Sequence, residues 1–373
     1  MAKVEVKTFD SRFWKIFIPF LFFIGLILFF PYWFTQMSWV EFDFKDSGEI
    51  GDTIGGVLGP FIAIGAAILT FFAFWVQLKA NEQQRQDIAL ERFETKFYEM
   101  LRLHRSNVEE MEIAGKHRGR KAFVEMFKEF RFIYQVLDKK TNADHSHEWS
   151  SNIAFHHFFY GVDDSMESVS SDKKLQVYEK DTLKFLKMMK SNARIQFNQG
   201  KRPAVLILQE GIRHDTDFFP FGGHASRLGH YFRHLYQTVK FVASYDKVEL
   251  SFNDRYEYIK LLRAQLSNHE QLLIYYNTFS PHKVWWDDEL GLKNEEGLPL
   301  SYFLDFKLIK NIPFNLTKRI GLDPFTAFKN RIIHRYEDAG QSILQNEAEL
   351  KAKTCFEWKE RELTKNDINQ QTI

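Results

Sequence analysis

TIGGVLGPFIAIGAAILTFFAFWVQL, residues 53–78, runs twenty-six positions without a charged side chain. Its reading decides the fold. A helix needs roughly 20 apolar residues to cross the hydrocarbon core of a bilayer, so this stretch predicts a span with length to spare for tilt. Upstream, IFIPFLFFIGLILFFPYWF at 16–34 is uncharged over nineteen residues and predicts a first span. Trp14, Tyr32, Trp33 and Trp39 fall where an interfacial aromatic belt would lie. A cleaved signal peptide would have a shorter apolar core followed by a small-residue cleavage site, whereas PYWFTQMSW follows here. The expected N-terminal unit, residues 1–79, is a two-helix transmembrane hairpin with spans at about 14–34 and 54–78.

Charge orients this hairpin. Lys3, Lys7, Arg12 and Lys15 precede the first span, and Lys79, Arg85 and Arg92 follow the second. The connecting loop TQMSWVEFDFKDSGEIGD holds five acids against Lys45. The excess of Lys and Arg outside the spans places both termini in the cytoplasm, in a multi-pass topology. Within the second run Gly51, Gly55 and Gly59 recur at i, i+4 and i+8, with Gly56, Ala63, Gly65 and Ala67 continuing the small positions. Small residues let helix backbones approach closely; the stripe fits packing of the two spans within one chain, or self-association into a homo-oligomer. Asp52 at the mouth of the run is costly inside the bilayer, so it belongs in the interface or against a polar interior. A phosphate loop is excluded, because the Lys-Ser/Thr that holds phosphate and metal is missing.

Beyond the spans, Phe93, Phe97, Met100, Leu101, His104, Val108 and Met111 recur at helical spacing, predicting a stalk helix over 80–115. At 1.5 Å per residue such a stalk is about 55 Å long. KHRGRK at 116–121 is the densest basic cluster. Gly115 and Gly119 make it a turn between two helices, and Lys116, Arg118, Arg120 and Lys121 form either a solvated loop or an anion contact. A straight stalk would carry them beyond the screening distance of roughly 8–10 Å from a bilayer, which favours RNA or DNA phosphate over lipid. Across the whole chain 50 Lys and Arg almost cancel 49 Asp and Glu, so the global basic field of a dedicated nucleic-acid binder is absent. The single cysteine, Cys355, excludes an internal disulfide and a cysteine-based zinc cage.

Helical patterns continue over 122–137, 153–160 and 175–189, without strand alternation long enough to predict a sheet. The fold class is therefore all-α, with a cytosolic helical domain over 116–345 and a polar tail over 346–373. Asp144, His145, His147, Glu148, His156 and His157 lack a recognised ligand spacing, and His230 and His234 lack the third ligand and base of a zinc-protease helix, so no metal and no cofactor is expected. After the Pro/Gly-rich FFPFGGH, Leu228, Tyr231, Phe232, Leu235, Tyr236, Val239 and Val242 share one helical face. Ile259, Leu262, Leu266, His269, Leu273 and Tyr276 form another stripe. Arg263 and His269 satisfy an Arg-x5-His spacing that resembles the Arg-x4–6-His signature of HEPN ribonucleases, which would make them catalytic residues positioning phosphate and moving protons. On a straight helix these two side chains point about 120° apart, so dimer formation or a local break is needed to converge them, and Ala264 replaces the usual polar residue after the Arg.

GDTIGGVLGPFIAIGAAILTFFAFWVQLKAN, ERFETKFYEMLRLH, LGHYFRHLYQTVKFV and LLRAQLSNHEQLLIYYN, in this order over residues 45–280, resemble the bacterial AbiC-like phage abortive infection family. Beyond Pro281, KVWWDDELGLKNEEG and the tail add no motif of that family. The resemblance implies defence against bacteriophage, in which an infected cell is sacrificed or arrested before new phage emerge; together with the two apolar spans it leads to an expected place in the bacterial inner membrane. It brings no established catalytic residues. Two mechanisms of different class follow. In one, the cytosolic domain senses a phage protein, a nucleic acid or a partner, and the glycine-rich hairpin then breaches the lipid bilayer. In the other, the membrane only anchors a metal-independent HEPN-like ribonuclease that cleaves RNA. A scaffold within a multi-protein defence system is a third, non-enzymatic reading.

Overall fold

The computed structural model describes residues 47–359, apart from 142–146, 164–167, 209–210, 246–249, 279–290, 318–319 and 322, together with scattered positions between 14 and 32. The expected first span, its loop and the end of the tail lie for the most part outside the described residues. What is described is mostly helical. The chain divides into two compact units, Met1–Leu90 and Glu91–Ile373.

The N-terminal unit is described chiefly by the start of α1, which runs Ser47–Glu110 through Pro60. It is the one described helix long and apolar enough to cross a membrane by length and composition. Phe61, Ile62, Ile64, Phe71, Phe74 and Trp75 are all exposed along it.

In the second unit, α1 changes character at Phe93. Phe93 and Phe97 are buried among Phe241, Tyr245 and Tyr258, and Tyr258 donates to Glu94 at 2.6 Å. The segment expected to be a stalk is thus a core helix over its second half. Its buried face ends on Val108 and Met111, where Gly115 (φ +71°) and Gly119 (φ +59°) turn the chain. β1 (Glu112–Ile113) and β2 (His117–Arg118) pair there as a small antiparallel hairpin.

Three helices follow: α2 (Arg120–Thr141), α3 (His147–Tyr160) and α4 (Lys173–Asn198). α2 is the central element, burying Phe123, Met126, Phe127, Phe130, Ile133 and Leu137. α4 is started by Asp172, whose carboxylate accepts the Lys174 and Leu175 N–H groups in place of the missing previous turn. The helical expectation holds in the main, with a short addition: β3 (Ala204–Leu208) and β4 (Ile212–Thr216) form an antiparallel hairpin, Leu208 opposite Ile212 and Ala204 opposite Thr216. Gln196 ties it to α4 by bonding both the N–H and the C=O of Val205.

α5 (Ala225–Ala243) buries Leu228, Tyr231, Phe232, Leu235, Tyr236, Val239 and Val242, the face expected from its spacing. The next stripe is divided between α6 (Phe252–Arg263) and α7 (Asn268–Asn277), each opened by a capping box, at Ser251 with Asp254 and at Ser267 with Glu270. α8 (Phe314–Thr317), α9 (Pro324–Asp338) and α10 (Gln345–Thr354) complete the unit. Up to Lys359 the expected polar tail is therefore structured: Ala348, Ala352, Cys355 and Phe356 are all buried, with Phe356 against Phe314 and Phe328.

Candidate functional site in the helical domain

Four segments far apart in sequence bring polar side chains to one enclosed point. The capping box of α7 sets its centre: Glu270 Oε1 accepts from the Ser267 N–H at 3.0 Å and its hydroxyl at 2.6 Å. The second oxygen, Oε2, accepts the Tyr231 hydroxyl of α5 at 2.8 Å and lies 3.9 Å from His104 Nε2 on α1. Arg120, at the start of α2, holds Nε 3.9 Å from Oε1 and donates from Nη2 to the Gln265 carbonyl at 2.9 Å. His234, one turn along α5 from Tyr231, stacks on His104 with centroids 6.3 Å apart.

Burial controls the ionisation of this group. It removes water from His104 and, with the positive fields of His234 and Arg120, pushes the imidazole down to about 4. His234 is lowered too, by burial and then by His230. The Tyr231 phenol is held well above its ordinary range by burial and by the Glu270 charge. Among the described residues neither nitrogen of His104 or His234 has a hydrogen-bond partner. Glu270 and His104 are essentially inaccessible, so the group joins helices at its centre, while Arg120 remains exposed.

Two more buried acid–histidine pairs fix the loops around α3. Glu179 accepts from His157 Nε2 at 3.0 Å, from the hydroxyls of Ser168 and Ser170, and from the Val169 and Ser170 N–H groups. Burial alone would raise its carboxyl, but these donors outweigh it and hold it at about 2. Glu129 accepts the Phe221 N–H at 3.2 Å and lies 3.3 Å from His224 Nε2. Lys190 donates to the carbonyls of Val162 and Phe221. The Pro/Gly-rich loop is thereby pressed onto the end of α3, with Val162 N–H on Phe221 O and His224 N–H on Phe159 O.

The residues expected to carry function fall in separate places. Gly51, Asp52, Gly55, Gly56 and Gly59 are exposed on α1, and a Cβ built on any of the four glycines meets nothing within 4 Å. The local break that would let Arg263 and His269 converge exists, since Arg263 ends α6 and His269 starts α7. The side chains nonetheless take different neighbours. Arg263 donates to the Lys307 carbonyl at 2.8 Å and lies over the Tyr256 ring, whereas His269 stands edge-on to Phe127, its pKa lowered by burial and then by Lys128. In the basic turn most charges are answered within the chain: Lys116 and His117 by Asp217, Arg118 by Glu112, and Arg120 by Glu270 and Gln265. Lys121 is exposed without an ion-pair partner among the described residues. His147 bonds Tyr134, and no three His, Cys, Asp or Glu side chains among the described residues are grouped to hold a metal.

Sequence reasoning missed Glu270, although Ser267-x-x-Glu270 is the signature of a capping box. It also missed a pocket of about 240 Å³ in the C-terminal part, lined by Glu296, Asp305, Arg335, Tyr336 and Lys351. Its charges are paired among themselves, Arg335 with Asp305 and Lys351 with Glu296.

Residues 223–316 match the family described as "Putative phage abortive infection protein", the family the sequence motifs resemble. The matched stretch holds α5, α6 and α7 and runs past Pro281, beyond the point where motifs were legible; it does not include the apolar run or the stalk. No curated protein and no solved structure matches the chain.

Proposed function

We propose, from the match of residues 223–316 as premise, that this chain acts in bacteriophage defence by abortive infection. In this reading it is a multi-pass protein of the bacterial inner membrane with both termini in the cytoplasm. Its helical domain senses a phage product or a partner, and the glycine-rich span then disrupts the bilayer.

The match carries the defence role; the apolar half of α1 supports the membrane role. Residues 53–78 contain thirteen Ile, Leu, Val and Phe, and at about 0.3–0.6 kcal/mol each their transfer favours insertion by ~4–8 kcal/mol, against ~2.5–3.5 for one aspartate such as Asp52 at the centre of a span. The apolar side chains thus favour insertion, and more easily with Asp52 left at the interface. The open space around Gly51, Gly55, Gly56 and Gly59 leaves that stripe available to pack against a further helix, which supports assembly into an oligomer.

The test follows dye entry and membrane potential in infected cells that express the chain. Depolarisation should coincide with growth arrest, and Gly55→Leu with Gly59→Leu should abolish both at unchanged expression, since a Cβ at either position meets nothing within 4 Å. Arrest of growth with polarisation intact would overturn the membrane mechanism.

A further inference from the structure

α4 buries one face and exposes an unusual one. Leu183, Leu186, Met189 and Ala193 are in the core, while Val177 (58% exposed), Met188 (49%) and Ile195 (54%) are open to solvent. At 100° per residue, spacings of eleven and seven bring these three within about 20° of one another, nearly opposite the buried face. Lys173, Lys180 and Lys184 flank the stripe on one side, Arg194 lies beyond them, about 100° round the helix from the stripe, and Asp181 is the acid on this face. Among the described residues no acid pairs with any of these four cations, although surface Lys–Glu pairs are frequent elsewhere on the chain. Just beyond the helix follow Lys201 and Arg202.

We infer that the exposed face of α4 is a second membrane contact, docking on anionic lipid headgroups. A stripe of aliphatic side chains bordered by lysines matches an interfacial helix, whose apolar face enters the headgroup boundary while the cations meet lipid phosphate. Nucleic acid fits less well. Sequence-tolerant binding of single strands uses aromatic platforms on which bases stack, and the stripe has none. Three aliphatic side chains bind weakly alone. The inference therefore rests on the proposed anchoring in one respect: a chain already held at the bilayer meets its surface at high effective concentration.

The experiment uses the full chain with Met188→Cys carrying an environment-sensitive fluorophore; native Cys355 is buried and does not compete. The labelled chain is reconstituted into nanodiscs of phosphatidylglycerol or of phosphatidylcholine. Emission should shift to the blue in phosphatidylglycerol discs only. Lys173→Glu, Lys180→Glu and Lys184→Glu together should abolish the shift, because each cation near an anionic surface is worth about fivefold in partitioning and their joint loss about a hundredfold. Identical spectra in both lipids would overturn the proposal. So would a shift in phosphatidylcholine discs that appears on adding RNA, or one that grows with protein density, which would assign the face to nucleic acid or to a second copy. If the chain enters neither disc, the anchoring reading has failed, and the same labelled chain with phosphatidylglycerol vesicles still reads α4 by the same shift.

Discussion

Gly223 holds φ at +83°, and a Cβ there would lie 2.6 Å from the carbonyl carbon and oxygen of Tyr160. Its neighbour Gly222 meets nothing closer than 3.9 Å and has no positive φ. Backbone cannot rotate aside as a flexible side chain can, so Gly223→Ala should destabilise the chain by on the order of 3 kcal/mol while Gly222→Ala costs a fraction of that. Parallel denaturant melts of the two variants check this contrast. The Pro/Gly-rich loop was legible as a loop, but its close approach to α3 was not, because Tyr160 is distant in sequence. The same limit applies to the polar cluster. Ser267-x-x-Glu270 is readable as a helix start, whereas no local pattern says that Tyr231 and His104 come to the same carboxylate. Arg263 and His269 are the converse: their spacing is readable, yet Lys307 and Phe127 claim them in the fold. His269→Ala should therefore preserve phage protection and leave RNA profiles unchanged; lost protection in a folded variant, with stabilised RNA, would move the activity to cleavage.

Elements were legible in proportion to their periodicity. α2 and α5 each bury a broad stripe at helical spacing and were found. The break between α6 and α7 was missed, because apolar residues on both sides keep one period while the capping box interrupts the backbone. β3 and β4 are five residues each, and AVLIL is an apolar run that period alone does not assign to strand or helix. α10 was hidden by composition: QNEAELKAKT reads as solvated, since its contacts with the core are two alanines, Ala348 and Ala352, and the larger Phe356 comes only after it. This element yields a sharp expectation. Phe356 is fully buried, so Phe356→Ala should cost about 3–5 kcal/mol. Burial also pushes the neighbouring Cys355 thiol up to about 12, which at pH 8 leaves roughly a thousandfold less thiolate than in an unfolded chain. Thiol reagent should label native protein at the rate of opening, and Phe356→Ala should accelerate that labelling; fast, saturable labelling of the native chain would contradict the burial.

At the scale of the whole molecule, the interior is rich in histidines that fold in the neutral state. His104 is held at about 4, and burial also lowers His214, His234 and His269. The sign of the linkage follows from which state binds protons. Below its ordinary 6.5 an unfolded imidazole is protonated while buried His104 stays neutral down to about 4, so the unfolded chain binds more protons in that window and stability falls as pH falls. His104 alone costs about 3 kcal/mol of stability on acidification, none of it above 6.5 and all of it by about 4. Glu179 has the other chemistry but the same direction, because its lowered carboxyl gives stability that disappears only as pH falls from 4.5 towards 2. The two losses are therefore sequential: histidines first, then the carboxylate. Denaturant melts across pH 8 to 4 should show an early decline that His104→Leu reduces by about 3 kcal/mol. At pH 7 that variant should be little weakened, since both imidazole nitrogens lack hydrogen-bond partners among the described residues and a leucine leaves no donor stranded. A variant whose stability declines as steeply as the parent's between pH 6.5 and 4 would show that His104 is not the group that titrates.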